Sequence, residues 1–150
     1  MTHSKLLSLL MSVVIISLPS SHAIAESENE ELSPSYQVWP IGWVRKHGGK
    51  TVIEVDEAYI PALLGLDQFD AIWVLYWFDR NDTPERRGIL QVHPRGNPDN
   101  PLRGVFATRA PVRPNLIALS RCRILSIAGN RIEIDGIDAF PDTPVLDIKP

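Results

Sequence analysis

The chain has 150 residues, 44% of them hydrophobic, with 15 Lys and Arg against 18 Asp and Glu for a net charge of −3. That length suits one modest domain rather than two, and the mild acidity excludes a chain that is basic throughout. The single cysteine, Cys122, excludes an internal disulfide framework and a structural zinc site of its own making.

In chain order, Lys5 is followed by the apolar run "LLSLLMSVVIISLP" and by "AIA" at residues 23–25. A basic start, a short apolar stretch and an A-x-A end describe a secretory signal peptide over residues 1–25. The run is too short for a good spanning helix, so an uncleaved anchor is the lesser reading. Cleavage would leave 125 residues with a net charge of −4, because the removed segment carries Lys5 and no acid. It places the protein outside the cytoplasm or in a periplasm, and away from the membrane after processing. Residues 26–36 are acidic and polar and read as a disordered leader. The folded part is expected over residues 37–150. An exported domain without disulfides relies on its core or on dimerisation.

The remaining chain reads mostly as strands. "YQVWPIGWV" is an apolar and aromatic strand with Pro40 at an edge or bulge. "HGGK" is a turn, and "KTVIEV" alternates. "EAYIPALLGL" is a short helix or helical turn limited by Pro61. "AIWVLYWF" reads as a buried central strand. "RNDTPERRG" is a loop, and "ILQVH" and "GVFATR" are strands flanking a long Pro-, Gly- and Asn-rich loop. "LIALSRCRILSIA" and "RIEIDGI" form a hairpin across Gly129-Asn130, and "TPVLDI" closes the domain. Short strands at this spacing predict an all-β sandwich or barrel, not a doubly wound parallel sheet.

The charge is unevenly divided. Residues 80–123 hold nine Arg against three acids, +6, whereas residues 26–79 stand at −7 and residues 124–150 at −3. The basic region suits an anion or a nucleic-acid backbone, or else forms a solvated face whose charges pair with the acidic remainder.

No phosphate-loop, dinucleotide or H-E-x-x-H motif occurs in the sequence. His47 and His93 are isolated and predict no metal site. Ser120 lacks a nucleophile-elbow setting, and Cys122 reads as a small buried hydrophobe. What remains is a cluster of hydrogen-bonding loop residues. Arg109 ends "FATR", while Arg113 and Asn115 are held by Pro111 and Pro114, which restrict the backbone. Asp138, Asp142 and Thr143 lie in "DAFPDTP". Arginine forks suit carboxylates and phosphates, and Asp and Asn suit amines, ribose hydroxyls or base edges. The mix fits a zwitterionic, nucleoside-containing ligand. It equally fits Arg109 or Arg113 pairing with Asp138 or Asp142 to pin two loops.

Four segments carry a family likeness: "PIGWVR", "LLGLDQFDAIWVLYWF", "RGVFATRAPVRPNLIALS" and "DAFPDTPVLDIKP". In order and spacing they resemble the TsaA-like domain of the TrmO family of tRNA methyltransferases, over residues 37–150. The resemblance implies a compact, all-β barrel that dimerises and binds S-adenosylmethionine near the subunit interface. It implies N6-methylation of threonylcarbamoyladenosine at position 37 of tRNA. By motif, Phe78, Asp79, Arg109, Leu119, Asp138, Ala139, Phe140 and Pro141 would contact the methyl donor. Arg113 and Asn115 would shape the acceptor side, and the basic stretch would face tRNA phosphates.

Three departures stand beside the likeness. The family's P-R-Q loop after the first strand is replaced by the immediate turn "VRKHGGKTVIEV". The usual R-P-N-P-I-G becomes "RPNLIALS", and D-G-T-P becomes "PDTP", with Asp142 where the family has glycine. Two functions follow from the whole reading. One is an S-adenosylmethionine-dependent tRNA methyltransferase. The other is an exported, non-catalytic barrel that binds a nucleoside-like or anionic small molecule, which removes the conflict between export and a cytoplasmic tRNA substrate.

Overall fold

The computed structural model describes residues 34–150. The expected signal peptide and residues 26–33 of the expected leader lie outside the described residues. Eight strands follow in order: β1 (Gly42–His47), β2 (Lys50–Val55), β3 (Ala71–Trp77), β4 (Gln91–Val92), β5 (Arg103–Gly104), β6 (Ile117–Ala128), β7 (Arg131–Ile134) and β8 (Pro144–Lys149). Six of them close into a barrel in the order β1-β2-β7-β6-β3-β8. All the pairings are antiparallel. β4 and β5 pair separately as a short ribbon. The expected all-β barrel is the architecture found.

Two hairpins follow from local chemistry. Gly48 (φ 57) and Gly49 (φ 78) link the closing pair His47 and Lys50. Two positive φ values in a two-residue loop match the twist of the strands they join. Gly129 (φ 59) starts the β6–β7 turn. Asn130 then donates its amide Nδ2 to the Val55 carbonyl at 2.7 Å, tying that turn to β2. Gly42 has a different role. A β-carbon there would lie 2.3 Å from the Glu54 carbonyl oxygen, so β1 and β2 approach closely only because this position has no side chain.

Alternation builds the core. Ile72, Val74 and Tyr76 of β3 are buried, and the residues between them are half-buried. The continuous apolar run is therefore an inward row plus a partly covered outer row. Val44, Ile53, Ile132 and Val145 complete the barrel interior, each fully buried. Cys122 joins them at 1% exposure, a small core residue as expected. Burial pushes its thiol up to about 11.

Three local expectations are corrected. The first strand starts only at Gly42, with no regular structure over residues 34–40; Pro40 offers no N–H to a ladder. "GVFATR" pairs only through Arg103 and Gly104, and Val105–Ala107 winds into a 3-10 turn. Val105 is buried, and Thr108 donates its hydroxyl back to the Val105 carbonyl at 3.1 Å. The loop "RNDTPERRG" contains a one-turn helix, α1 (Pro84–Arg87). Thr83 caps it by accepting from the Arg86 amide, and Pro84 occupies its first turn.

Candidate functional site

Two loops face each other beside the end of β3, and each is tied down by residues distant in sequence. The first is the "RPN" segment. Arg87 of α1 donates to the Pro114 carbonyl at 2.8 Å and to the Asp82 carboxylate at 2.8 Å. Its guanidinium also lies 5.3 Å from the Trp77 ring centroid. Trp77 in turn donates its indole N–H to Asp82 at 3.0 Å. Arg113 donates to the Val105 carbonyl at 3.4 Å. Phe78 donates its amide to the carbonyl of fully buried Leu116 at 2.8 Å. Prolines restrict this segment, and a ring of donors fixes it.

The second loop is "DAFPDTP". The Tyr76 hydroxyl, inside the barrel, donates to the Asp138 carbonyl at 2.9 Å and shares a hydrogen bond with Ser120 Oγ at 3.2 Å. Burial raises the Tyr76 phenol above its ordinary value. Lys46 donates to the Ile137 carbonyl at 2.9 Å. The Asp142 amide donates to the Val44 carbonyl at 2.7 Å, and its carboxylate pairs with Arg45, which also holds Glu54. Asp142 takes φ 64, the left-handed conformation that glycine accepts easily. The aspartate thus keeps a glycine-like backbone and adds an ion pair to β1.

Between the loops lies a cavity of about 420 Å³, within the range of roughly 300–1,000 Å³ usual for small-ligand sites. Phe78, Asp79, Arg109, Leu119, Asp138, Ala139 and Phe140 all line it, and so does Arg113. Pro141 and Asn115 are exposed and are not part of the lining. Asn115 uses its carbonyl to accept from the Ile117 amide. Ala118 also lines the cavity and is buried in β6.

The sequence reading left open whether Arg109 or Arg113 pairs with Asp138 or Asp142. Neither pairing forms. Asp142 is taken by Arg45. Among the described residues Arg109 and Asp138 have no ion-pair partner. The cavity lining therefore presents three guanidiniums, Arg80, Arg109 and Arg113, and two carboxylates, Asp79 and Asp138, none in an ion pair among the described residues, beside the apolar surfaces of Phe78, Leu119 and Phe140.

Sequence reasoning missed two contributors. Tyr76 reads as one more apolar position of an aromatic strand, yet its hydroxyl sets the Asp138 loop. Arg80 lines the cavity with its guanidinium 4.0 Å from the Phe140 ring centroid. That stack joins two loops 60 residues apart, and no local pattern announces it.

Comparison with known proteins gives one consistent picture. Residues 36–150 match the family model described as the tRNA-methyltransferase O N-terminal domain. The chain is 48% identical over 114 residues to a probable S-adenosyl-L-methionine-binding protein of Methanocaldococcus jannaschii, covering 76% of this chain and 90% of that protein. It is 42% identical over 89 residues to the tRNA (adenine(37)-N6)-methyltransferase of Homo sapiens, covering 59% of this chain and 20% of the human protein. Among solved structures, TrmO from P. aeruginosa matches with a TM-score of 0.61 at 30% identity, over 81% of this chain and 56% of that one. The chain thus spans most of the archaeal relative but little more than half of the bacterial TrmO chain.

Proposed function

The chain belongs to the tRNA-methyltransferase O N-terminal domain family, and on that footing we propose that its cavity binds S-adenosylmethionine for methylation of N6 of threonylcarbamoyladenosine 37 in tRNA. The observation that carries this reading is the juxtaposition of unpaired Arg109 and Asp138 against an apolar wall in one cavity. A zwitterionic amino-acid group attached to a nucleoside asks for that set: a cation, an anion and a flat apolar surface. Arg109 would fork onto the carboxylate. Asp138 or Asp79 would accept from the ammonium or from ribose hydroxyls. Phe78, Leu119 and Phe140 would cover the apolar parts, with Arg80 stacked behind Phe140.

Bound S-adenosylmethionine would supply an electrophilic methyl group on a sulfonium. The chain's own contribution is placement. Rigid loops on either side of the cavity hold the charged groups apart at fixed positions, which is what alignment of two reactants needs. Arg103 and Arg121 make no ion pair or side-chain hydrogen bond among the described residues. They would supply positive charge for tRNA phosphates, with affinity falling steeply as salt rises.

The reading includes a homodimer. Ile117 and Leu119 lie on one face of β6 at 42% and 46% exposure, and Leu125 and Phe106 are 54% and 81% exposed. Such apolar exposure favours a partner surface. Sedimentation at micromolar concentration is expected to give twice the chain mass; a clean monomer would count against it.

A second reading, an exported barrel that binds a nucleoside-like or anionic small molecule without catalysis, is favoured by two observations. The first 25 residues have the pattern of a signal peptide, and the Gly48–Gly49 hairpin leaves no room for the family's longer loop. The test is transfer of labelled methyl from S-adenosylmethionine to tRNA bearing threonylcarbamoyladenosine. Label in the tRNA supports the enzyme. Saturable S-adenosylmethionine binding without any transfer favours the second reading.

A further inference from the structure

A second cavity of about 750 Å³ adjoins the first. One side is the loop from Val92 to Pro98, and the other is the segment from Thr108 to Val112. Arg109, Pro111 and Asp138 line both cavities and so form a shared wall. Nothing in the first cavity's proposed occupancy uses the second.

Its outer loop is braced. The Asn100 side chain donates to the Pro94 carbonyl at 2.8 Å, and the Asn100 carbonyl meets His93 Nδ1 at 2.7 Å. The Gly96 amide donates to the His93 carbonyl at 2.9 Å. Within this frame Arg95 takes φ 60 and ψ 17, a left-handed conformation that a β-carbon disfavours. A strained residue held by its surroundings is a pointer to function. Arg95 lines the cavity and is exposed, with no ion pair or side-chain hydrogen bond among the described residues. Arg95 and Arg109 face a single acid, Asp138, so the charge balance favours an anion. Pro94, Pro98 and Pro111 supply rigid apolar walls suited to a planar ring.

We infer that this second cavity is the acceptor lobe: it holds an anionic adenosine whose carboxylate or phosphate is bound by Arg95, with Arg109 at the boundary towards the donor. The inference rests on the first cavity being the S-adenosylmethionine site. It assigns Arg95 a binding role that differs from general attraction of tRNA.

The test compares wild-type protein with Arg95→Gly, full chain in both cases. Glycine accepts a φ of about 60° without strain, so the loop keeps its shape while the guanidinium is lost. Two probes are titrated calorimetrically, adenosine 5′-monophosphate and the nucleoside N6-threonylcarbamoyladenosine. The expected result is at least tenfold weaker binding of one or both probes to the variant, with S-adenosylmethionine affinity unchanged. Loss for the monophosphate alone identifies a phosphate subsite, and loss for the nucleoside alone identifies a carboxylate subsite. Equal affinities in wild type and variant, or no binding of either probe to the wild type, overturn the inference. Failure of the donor reading is distinct: the wild type would then not bind S-adenosylmethionine at all.

Discussion

Arg87 donates to the carbonyl of Pro114 across 27 residues of sequence, at 2.8 Å. Through this bond the capped turn α1 fixes the segment that carries Arg113 and leads into β6. The same guanidinium covers Trp77 and holds Asp82, so a single side chain joins the end of β3 to the cavity rim. Arg87→Ala should lower unfolding free energy by about 1–2 kcal/mol, the scale of lost charge-assisted hydrogen bonds. Urea denaturation measures that loss. Faster hydrogen exchange at the amides of Leu116 and Ile117 would locate it; an unchanged midpoint would show that the prolines alone hold the segment.

Asp82 gives that linkage an acid sensitivity. Its carboxyl is held below the ordinary aspartate value, first by Arg87 and then by Trp77. A group with a depressed folded-state value stabilises the fold above the unfolded value, about pH 4, and loses that contribution as pH falls through the folded value. Thermal melts from pH 6 to pH 2.5 should therefore fall more steeply for wild type than for Asp82→Asn. Parallel curves would contradict the assignment.

Asp142 combines a strained backbone with an ion pair to Arg45. Asp142→Ala loses the pair and retains the strain, and should cost about 1–2 kcal/mol. Asp142→Gly loses the pair but relaxes φ, and should stay within about 0.5 kcal/mol of wild type. Chemical denaturation of the two variants separates backbone strain from charge. Equal losses would mean that the Arg45 pair carries the whole effect.

Cys122, with its thiol pushed up to about 11 by burial, should resist a disulfide-exchange reagent at pH 8 in the folded protein and react at once in denaturant. The sign of its linkage is opposite to that of Asp82. Stability attributable to the protonated thiol is complete below the unfolded value near pH 8.5 and is lost as pH rises towards 11. Rapid reaction of the native protein would contradict its place in the core.

Much of the barrel is legible in short-range pattern. The Gly48-Gly49 and Gly129-Asn130 turns, the alternation of β2 and the twelve residues of β6 all carry local signals, and β-branched and aromatic residues mark β3. Closure is not legible. β8 meets β1 through only two pairs, Gly42 with Val145 and Trp43 with Pro144, and that depends on strand tilt rather than on either segment's composition. "GVFATR" misleads because Val105 is drawn into the interior, which bends the chain away from a ladder. At the site, Arg109 and Asp138 stand out as hydrogen-bonding residues in proline-containing loops. That Asp142 is not available to Arg109 depends on Arg45 reaching it across 97 residues. The Arg80–Phe140 stack is likewise a product of the fold.

The central claim is that Arg109 and Asp138 frame a site for S-adenosylmethionine. Calorimetric titration of wild type and Arg109→Ala tests it most directly, with a thermal melt of each protein alongside. Saturable binding by the wild type, at least tenfold weaker in the variant at an unchanged melting temperature, is the predicted result. A folded wild type that binds nothing at millimolar S-adenosylmethionine, or a variant that loses stability and binding together, would contradict it.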